Sequence, residues 1–289
     1  MVDVRKKVEE ITPEITQMRV HIHENPELSM KEYNTCALLE DYVKKNVKYD
    51  RLKRVGETGL FFELKGTKPG NGPTIVFRGD IDALPIQEDE HMSPRSKVPG
   101  VMHACGHDVH GTINVGAAKI LSEMKDQFSG SIYFFIQPAE EILQGAKLFL
   151  NDPEIDFDKI DAVAALHVSA ELDAGTIGVR YGAILASADG IRIRINGKGG
   201  HGAHCHTLRD PIVASAAVIN ALQTLVSRET NPANAVVISI CTIHAGEANN
   251  IVPDSVEMTG TVRTLNPADR DRMAARVKRV AASVAEASR

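Results

Sequence analysis

Val4, Val8, Ile11, Ile15, Met18 and Ile22 recur every three or four residues, which predicts a helix reaching His23. Thr12-Pro13 fits either its interior or the first turn of a new helix. The turn Asn25-Pro26-Glu27 separates it from a second helix over 31–47, whose Leu38, Leu39, Tyr42 and Val43 face one way. Residues 60–64 and 74–77 read as short buried strands, and the Gly/Pro/Asn-rich stretch 66–73 between them predicts a hairpin. A long polar loop then runs to His110, followed by a helix over 111–124 and strands over 131–136 and 161–166. Strands alternating with helices predict an α/β layered domain built on a mixed sheet.

Glycines at 175, 178 and 182 punctuate the next stretch, and the composition shift places a domain boundary near Ala186, dividing the chain into 1–185 and 186–289. In the second part Ile191, Ile193 and Ile195 alternate with Arg192, Arg194 and Asn196, the pattern of a strand with one wet face. Asp210-Pro211 opens a helix to Arg228 as N-cap and N1. Strands over 236–240 and 255–263 and a helix over 267–287 complete the order β-α-β-β-α. That is a ferredoxin-like split βαβ sheet without its closing strand.

Composition narrows the function classes. Apolar residues make up 43% and charged residues 25%, which excludes a disordered or low-complexity chain. The net charge of −5 argues against binding to phosphate backbones, so no nucleic-acid partner is expected. The first residues carry no apolar leader, and no run of about 20 apolar residues occurs, so no membrane span is expected. Cys36, Cys105, Cys205 and Cys241 lie far apart in no framework spacing, which suits reduced thiols and a cytoplasmic location.

Candidate chemistry concentrates in Met102–His110, MHACGHDVH, where a thiol, three imidazoles and a carboxylate occupy one short segment. Thiol and imidazole together suit a transition metal. Gly106 between Cys105 and His107 lets the backbone bend so that both converge on one ion. Four closed ligands at regular spacing are absent, so the pattern is that of an open site needing partners from elsewhere. Asp80 and Asp82, Glu140 and Glu141, and His167 each follow a predicted strand, where an open α/β sheet places its ligands. Of two adjacent glutamates, one can ligate while the other handles a proton. His23 and His91 read as solvated or capping histidines, and Cys36, Cys205 and Cys241 as structural. Ligand types alone admit Zn, Mn, Co or Ni.

The segments RVHIHENPELSMKE (19–32), FRGDIDALPIQE (77–88), MHACGHDVH (102–110), IQPAEE (136–141), LHV (166–168), GKGGHGAHCH (197–206), DPI (210–212), ANNIVPD (248–254) and GTVR (260–263) together resemble the metal-dependent aminoacylase and carboxypeptidase family. Within it the chain is most similar to the branch of N-acyl-amino-acid amidohydrolases that includes hippurate hydrolase and the plant auxin-conjugate hydrolases. The resemblance implies two divalent ions held by Cys105, His107, Glu141 and His167, with Glu140 as general base and acid. It implies that Asp82 orients a ligand, and it sets Asp80 where other branches have a ligating His. His201 takes the place of an oxyanion-stabilising histidine that reaches a neighbouring subunit's site, and Asn250 and Arg263 match positions that hold a substrate carboxylate. The second part becomes a lid and dimerisation domain of a homodimer, and the substrate an N-acyl amino acid. A dipeptidase or exopeptidase of the same family is the neighbouring alternative.

Two departures stand out. Ile142-Leu143-Gln144 replaces glycines after the Glu pair, which alters the pocket wall, and Cys205-His206 replaces Pro-His. Family members also continue past the final helix with a further strand and another metal-binding His. The resemblance therefore implies a truncated chain, and a metal-binding or dimerising remnant without catalysis is the alternative from another class.

Overall fold

The computed structural model describes residues 3–288, so Arg289 lies outside them, and contacts divide the chain into two compact units, one up to Asp173 and one from Ala174 on. In the first, α1 (Val4–Glu24) and α2 (Tyr33–Asn46) precede β1 (Arg51–Val55), β2 (Gly59–Lys65) and β3 (Thr74–Asp80). Then come α3 (His107–Ser122), β4 (Ser131–Gln137), α4 (Gly145–Leu150) and β5 (Ala162–Ala165). The sheet order is β1-β2-β4-β3-β5. β2 is antiparallel to β1 and β4, whereas β3 runs parallel to both β4 and β5.

The hairpin expected between residues 60–64 and 74–77 is therefore not formed: β4 lies between them, and the antiparallel partner of β2 on its other side is β1. Continuous apolarity explains the insertion. SIYFFIQ in β4 is buried on both faces, Phe134 and Ile136 toward the helices and Tyr133 and Phe135 toward the layer containing Phe149, so it belongs at the sheet's centre. Phe62 stacks on Phe134 at 4.7 Å between ring centroids.

α1 runs unbroken through Pro13, which resolves the open reading of Thr12-Pro13. Ile15, Met18 and Ile22 pack into the main core, and tertiary packing outweighs the hydrogen bond that Pro13 cannot donate. α3 begins at His107, earlier than the helix expected from residue 111, because the metal-type motif itself forms the first turn.

The second unit contains β6 (Asp189–Asn196), β7 (Gly200–His201), α5 (Pro211–Ser227), β8 (Val236–His244), β9 (Ile251–Val252), β10 (Ser255–Thr264) and α6 (Pro267–Ala287). β10 lies between β6 and β8 and is antiparallel to both, while β7 and β9 form a separate short ladder. Asp210 caps α5 by accepting from the Ile212 and Val213 N–H groups, and Asn266 caps α6 by accepting from Ala268. Leu222 and Leu225 of α5 and Met273 and Val277 of α6 cover one sheet face around Val256 and Met258, leaving Arg192 and Arg194 wet on the other. No helix among the described residues is long and apolar enough to cross a membrane.

Candidate metal centre

Because β3, β4 and β5 are parallel, their carboxyl ends leave the sheet along one edge, with Asp80 in register with Gln137. Asp82 follows β3, Glu140 and Glu141 follow β4, and His167 follows β5. α3 points its first turn at the same edge. Gly106 precedes it at φ 91°, and a Cβ there would lie 2.3 Å from Val168 Cγ2. Gly79 lets α3 lie directly on β3, since a Cβ would come 2.8 Å from the His110 carbonyl oxygen.

His107 is 1% exposed and its Nδ1 donates to Asp82 Oδ1 at 3.1 Å. This leaves the Nε2 lone pair directed into the cluster, 3.8 Å from Glu141 Oε1 and 4.0 Å from Glu140 Oε2. His167 Nδ1 donates to the Val168 carbonyl oxygen at 2.6 Å, which leaves its Nε2 an acceptor, hydrogen-bonded to Cys105 Sγ at 3.3 Å. Donor atoms of Cys105, His107 and His167, and separately of His107, Glu140 and Glu141, lie within 4.8 Å of one another. His107 belongs to both groups. A cavity of about 440 Å³ opens beside Glu140, with Leu143 and Val163 on its wall.

Asp80 and His110 also lie close to His107, yet their polar atoms are engaged. His110 Nδ1 donates to Asp80 Oδ1 at 2.6 Å, Arg78 pairs with Asp80 Oδ2 at 2.6 Å, and His110 Nε2 accepts from the Val168 N–H at 3.0 Å. Burial alone would push the Asp80 carboxyl up, but the His110 hydrogen bond and the Arg78 and His107 charges hold it below the ordinary range. Asp82 is held low against the same burial by His107, by Ser29 Oγ at 2.7 Å and by the Glu141 N–H at 3.0 Å.

The donor set fits a divalent cation. Burial, reinforced by the nearby Glu141, Asp80 and Glu140 charges, pushes the Cys105 thiol up to about 12. Burial and the Glu140 and Asp82 charges raise the Glu141 carboxyl even though His107 opposes them. Glu141 Oε1 is buried without a well-formed hydrogen bond among the described residues. Acids crowded together with inward-facing imidazole nitrogens, a thiol and an orphaned carboxylate oxygen lack a positive charge, which a dication supplies. Cys105, His107, Glu141 and His167 have the donor atoms to hold it.

The other expected site residues lie in the second unit. His201 is exposed on β7, its Nδ1 accepting from the Ala203 N–H at 3.2 Å, and Asn250 sits beside it, its carbonyl oxygen accepting from the Gly202 N–H at 2.8 Å. Arg263 is on the exposed face of β10. Sequence reasoning misjudged His23, read as a solvated or capping histidine: it is buried, bridging Asp108 and Glu88 through its two ring nitrogens at 2.9 Å each. His91 is exposed. Cys205 and Cys241 are exposed, whereas Cys36 is buried.

Residues 76–287 match the peptidase family M20/M25/M40. The chain is 39% identical over 284 residues to thermostable carboxypeptidase 2 of Saccharolobus solfataricus, covering 97% of this chain and 71% of that one. It is 37% identical over 285 residues to N-acyl-L-amino acid amidohydrolase of Geobacillus stearothermophilus, covering 99% and 76%. Its fold is similar to that of Bacillus subtilis YXEP, a dinuclear metal binding peptidase from the M20 family, with TM-score 0.80 and 35% identity over 97% of this chain and 72% of that one. With strand exits, α3 and donor cluster arranged in this way, and with this match over most of its length, the chain belongs to peptidase family M20/M25/M40.

Proposed function

We propose that this protein is a metal-dependent hydrolase of the amide bond in N-acyl amino acids. The observation that carries the reading is that His107 belongs at once to a thiol–imidazole group with Cys105 and His167 and to a group with Glu140 and Glu141. Cys105, His107, Glu141 and His167 would hold the metal, which would polarise the scissile carbonyl and bring bound water toward neutral pKa. Glu140, half-buried on the cavity wall with no short side-chain hydrogen bond among the described residues, takes a proton from the water and returns it to the departing amine. Asp82 fixes the His107 ring in the Nδ1–H tautomer. The apolar wall at Leu143 and Val163 suits the acyl group.

In the same reading the second unit is a ferredoxin-like lid through which two copies pair. There His201 stabilises the oxyanion in the partner copy, while Asn250 and the planar Arg263 fork take the substrate carboxylate. A reducing cytoplasmic setting suits the unpaired Cys105.

Exopeptidase action is the second reading, favoured by the 39% identity to thermostable carboxypeptidase 2. Elemental analysis of purified protein, with turnover of N-acetyl and N-benzoyl amino acids against dipeptides, tests both. About two metal equivalents with preference for the N-acyl substrates is expected; preference for dipeptides favours the second reading. Absence of both metal and turnover would overturn either one.

A further inference from the structure

The segment Glu27–Glu32 follows α1 and lies along the loop that carries Asp82, with Leu28 bridged to Ala83 and the Ala83 N–H donating to the Glu27 carbonyl oxygen at 2.8 Å. Glu32 occupies the N-cap position of α2 but makes no capping hydrogen bond with its side chain. Glu27 does that work instead, its carboxylate accepting from the Asn34 and Thr35 N–H groups at 3.1 and 2.8 Å. Glu32 is 0% exposed, burial raises its carboxyl, and its Oε2 makes no well-formed hydrogen bond among the described residues, so such a burial is kept only for what the other oxygen holds. Its Oε1 accepts from the Met30 N–H at 3.0 Å and from the Ala139 N–H at 2.8 Å, across 107 residues of sequence.

Both donors sit at left-handed backbone positions without being glycine: Met30 at φ 65° and Ala139 at φ 49°. Such conformations persist where their surroundings over-determine them, and they cluster at functional sites. Ala139 immediately precedes Glu140 and Glu141. Its carbonyl oxygen is held from the other side by the Gln144 and Gly145 N–H groups at 3.1 Å. Ser29, in the same segment as Glu32, donates to the Asp82 oxygen that also accepts the Glu141 N–H. The segment thus grips the glutamate turn at its entry through Glu32 and at Glu141 through Asp82.

We infer that Glu32 is a positioning residue for the Glu140–Glu141 pair: one buried carboxylate oxygen locks the Ala139 backbone in the conformation that aims both glutamates at His107. Nothing in the reading of the metal centre uses Glu32. The inference rests on that reading for its catalytic consequence, while its structural content stands apart from it.

The test compares Glu32→Met, which keeps volume but accepts nothing, with Glu32→Gln, whose amide oxygen can accept the same two N–H groups. Three quantities are measured: Zn²⁺ affinity by chelator competition, hydrogen exchange of peptides spanning 137–145, and the melting temperature. Glu32→Met is expected to weaken Zn²⁺ binding at least about tenfold and to accelerate exchange in 137–145, with Glu32→Gln remaining within about threefold of wild type. A lowered melting temperature with unchanged affinity and exchange would mean a merely structural role and overturn the inference. Equal losses in both variants would overturn it too, since the charge and not the acceptor would then matter. Should Glu32→Met fail to fold, Glu32→Asp decides, since it keeps the charge but draws the acceptor back from the Ala139 N–H: weaker Zn²⁺ binding with faster exchange in 137–145 is expected, and wild-type values of both refute. A wild-type chain that binds no Zn²⁺ and hydrolyses no N-acyl amino acid sinks the functional reading alone, and the exchange comparison still decides this one.

Discussion

His110 Nε2 accepts the Val168 N–H at 3.0 Å, tying the first turn of α3 to the residue next to His167. With Nδ1 of the same ring bound to Asp80, an unbroken series runs from the buried end of β3 to the loop after β5. An imidazole whose two nitrogens are both engaged orients others and does not ligate. His110→Phe should therefore weaken metal binding by roughly 10- to 100-fold, through loss of order at His167. Metal titration with chelator competition checks this, and wild-type affinity in the variant would show that the loop after β5 holds itself.

Glu140 and Glu141 differ in surroundings, and this separates their roles. Glu140→Gln is expected to lower turnover by about 10²- to 10⁴-fold while metal content stays unchanged. Glu141→Gln should lower both. Elemental analysis beside a steady-state assay distinguishes the two, and loss of metal from Glu140→Gln would break the assignment.

Metal binding should release protons. The Cys105 thiol is pushed up to about 12, so it keeps its proton at neutral pH until a cation displaces it. Affinity is therefore expected to rise with pH through the neutral range, and Cys105→Ser to flatten that rise. Calorimetric titrations in two buffers of different ionisation enthalpy measure the released protons directly; identical heats in both would contradict the expectation.

The buried bridge at His23 predicts a pH-dependent stability. The Asp108 hydrogen bond, with that carboxylate's charge and the Glu88 bond, outweighs burial and raises the imidazole above its ordinary 6.5. A raised imidazole contributes its full stabilisation below about 6.5 and loses it as pH rises through the folded-state value. Removing the imidazole should cost about 1–3 kcal/mol at low pH, because Arg19 still pairs with Asp108 at 2.7 Å and the Ser96 N–H still donates to Glu88. Urea midpoints of wild type and His23→Phe, followed from about pH 6 to 9, should converge as pH rises. A constant gap would mean that the imidazolium contributes nothing beyond packing.

Much of the architecture was legible because local chemistry announced it. Asp210-Pro211 and Asn266-Pro267 start their helices as cap and N1 residues, and the Ile/Arg alternation of β6 survives as a half-wet strand. β1 was not legible. RLKRV carries three cations in five residues, and only its Val55 is fully buried, so nothing in its pattern separates an edge strand from a linker. The strand order was missed for a related reason: turn residues at 66–73 report a reversal of the chain, not which strand will later be inserted.

At the site, residue types and their places after strands pointed to Cys105, His107, Glu140, Glu141 and His167. Of the side chains that act through others, Asp82 shared that signal by its place after β3, whereas His23 and Glu32 gave none. His23, Glu88 and Asp108 carry ordinary surface residue types; His23 and Asp108 are buried where α1 packs against α3, and Glu88 is drawn in from the loop after β3 by His23 and the Ser96 N–H. Glu32 falls inside the helix expected over 31–47, and only the fold sets it at the N-cap position of α2 with Glu27 making the capping hydrogen bonds.

The shared direction of β3, β4 and β5 has a thermodynamic corollary. The donor atoms reach one edge from stretches of chain that only the native sheet brings side by side, so an unfolded chain offers no comparable cage. A bound ion would tether these stretches as a cross-link does, and by mass action the melting temperature would climb with the free concentration of the ion.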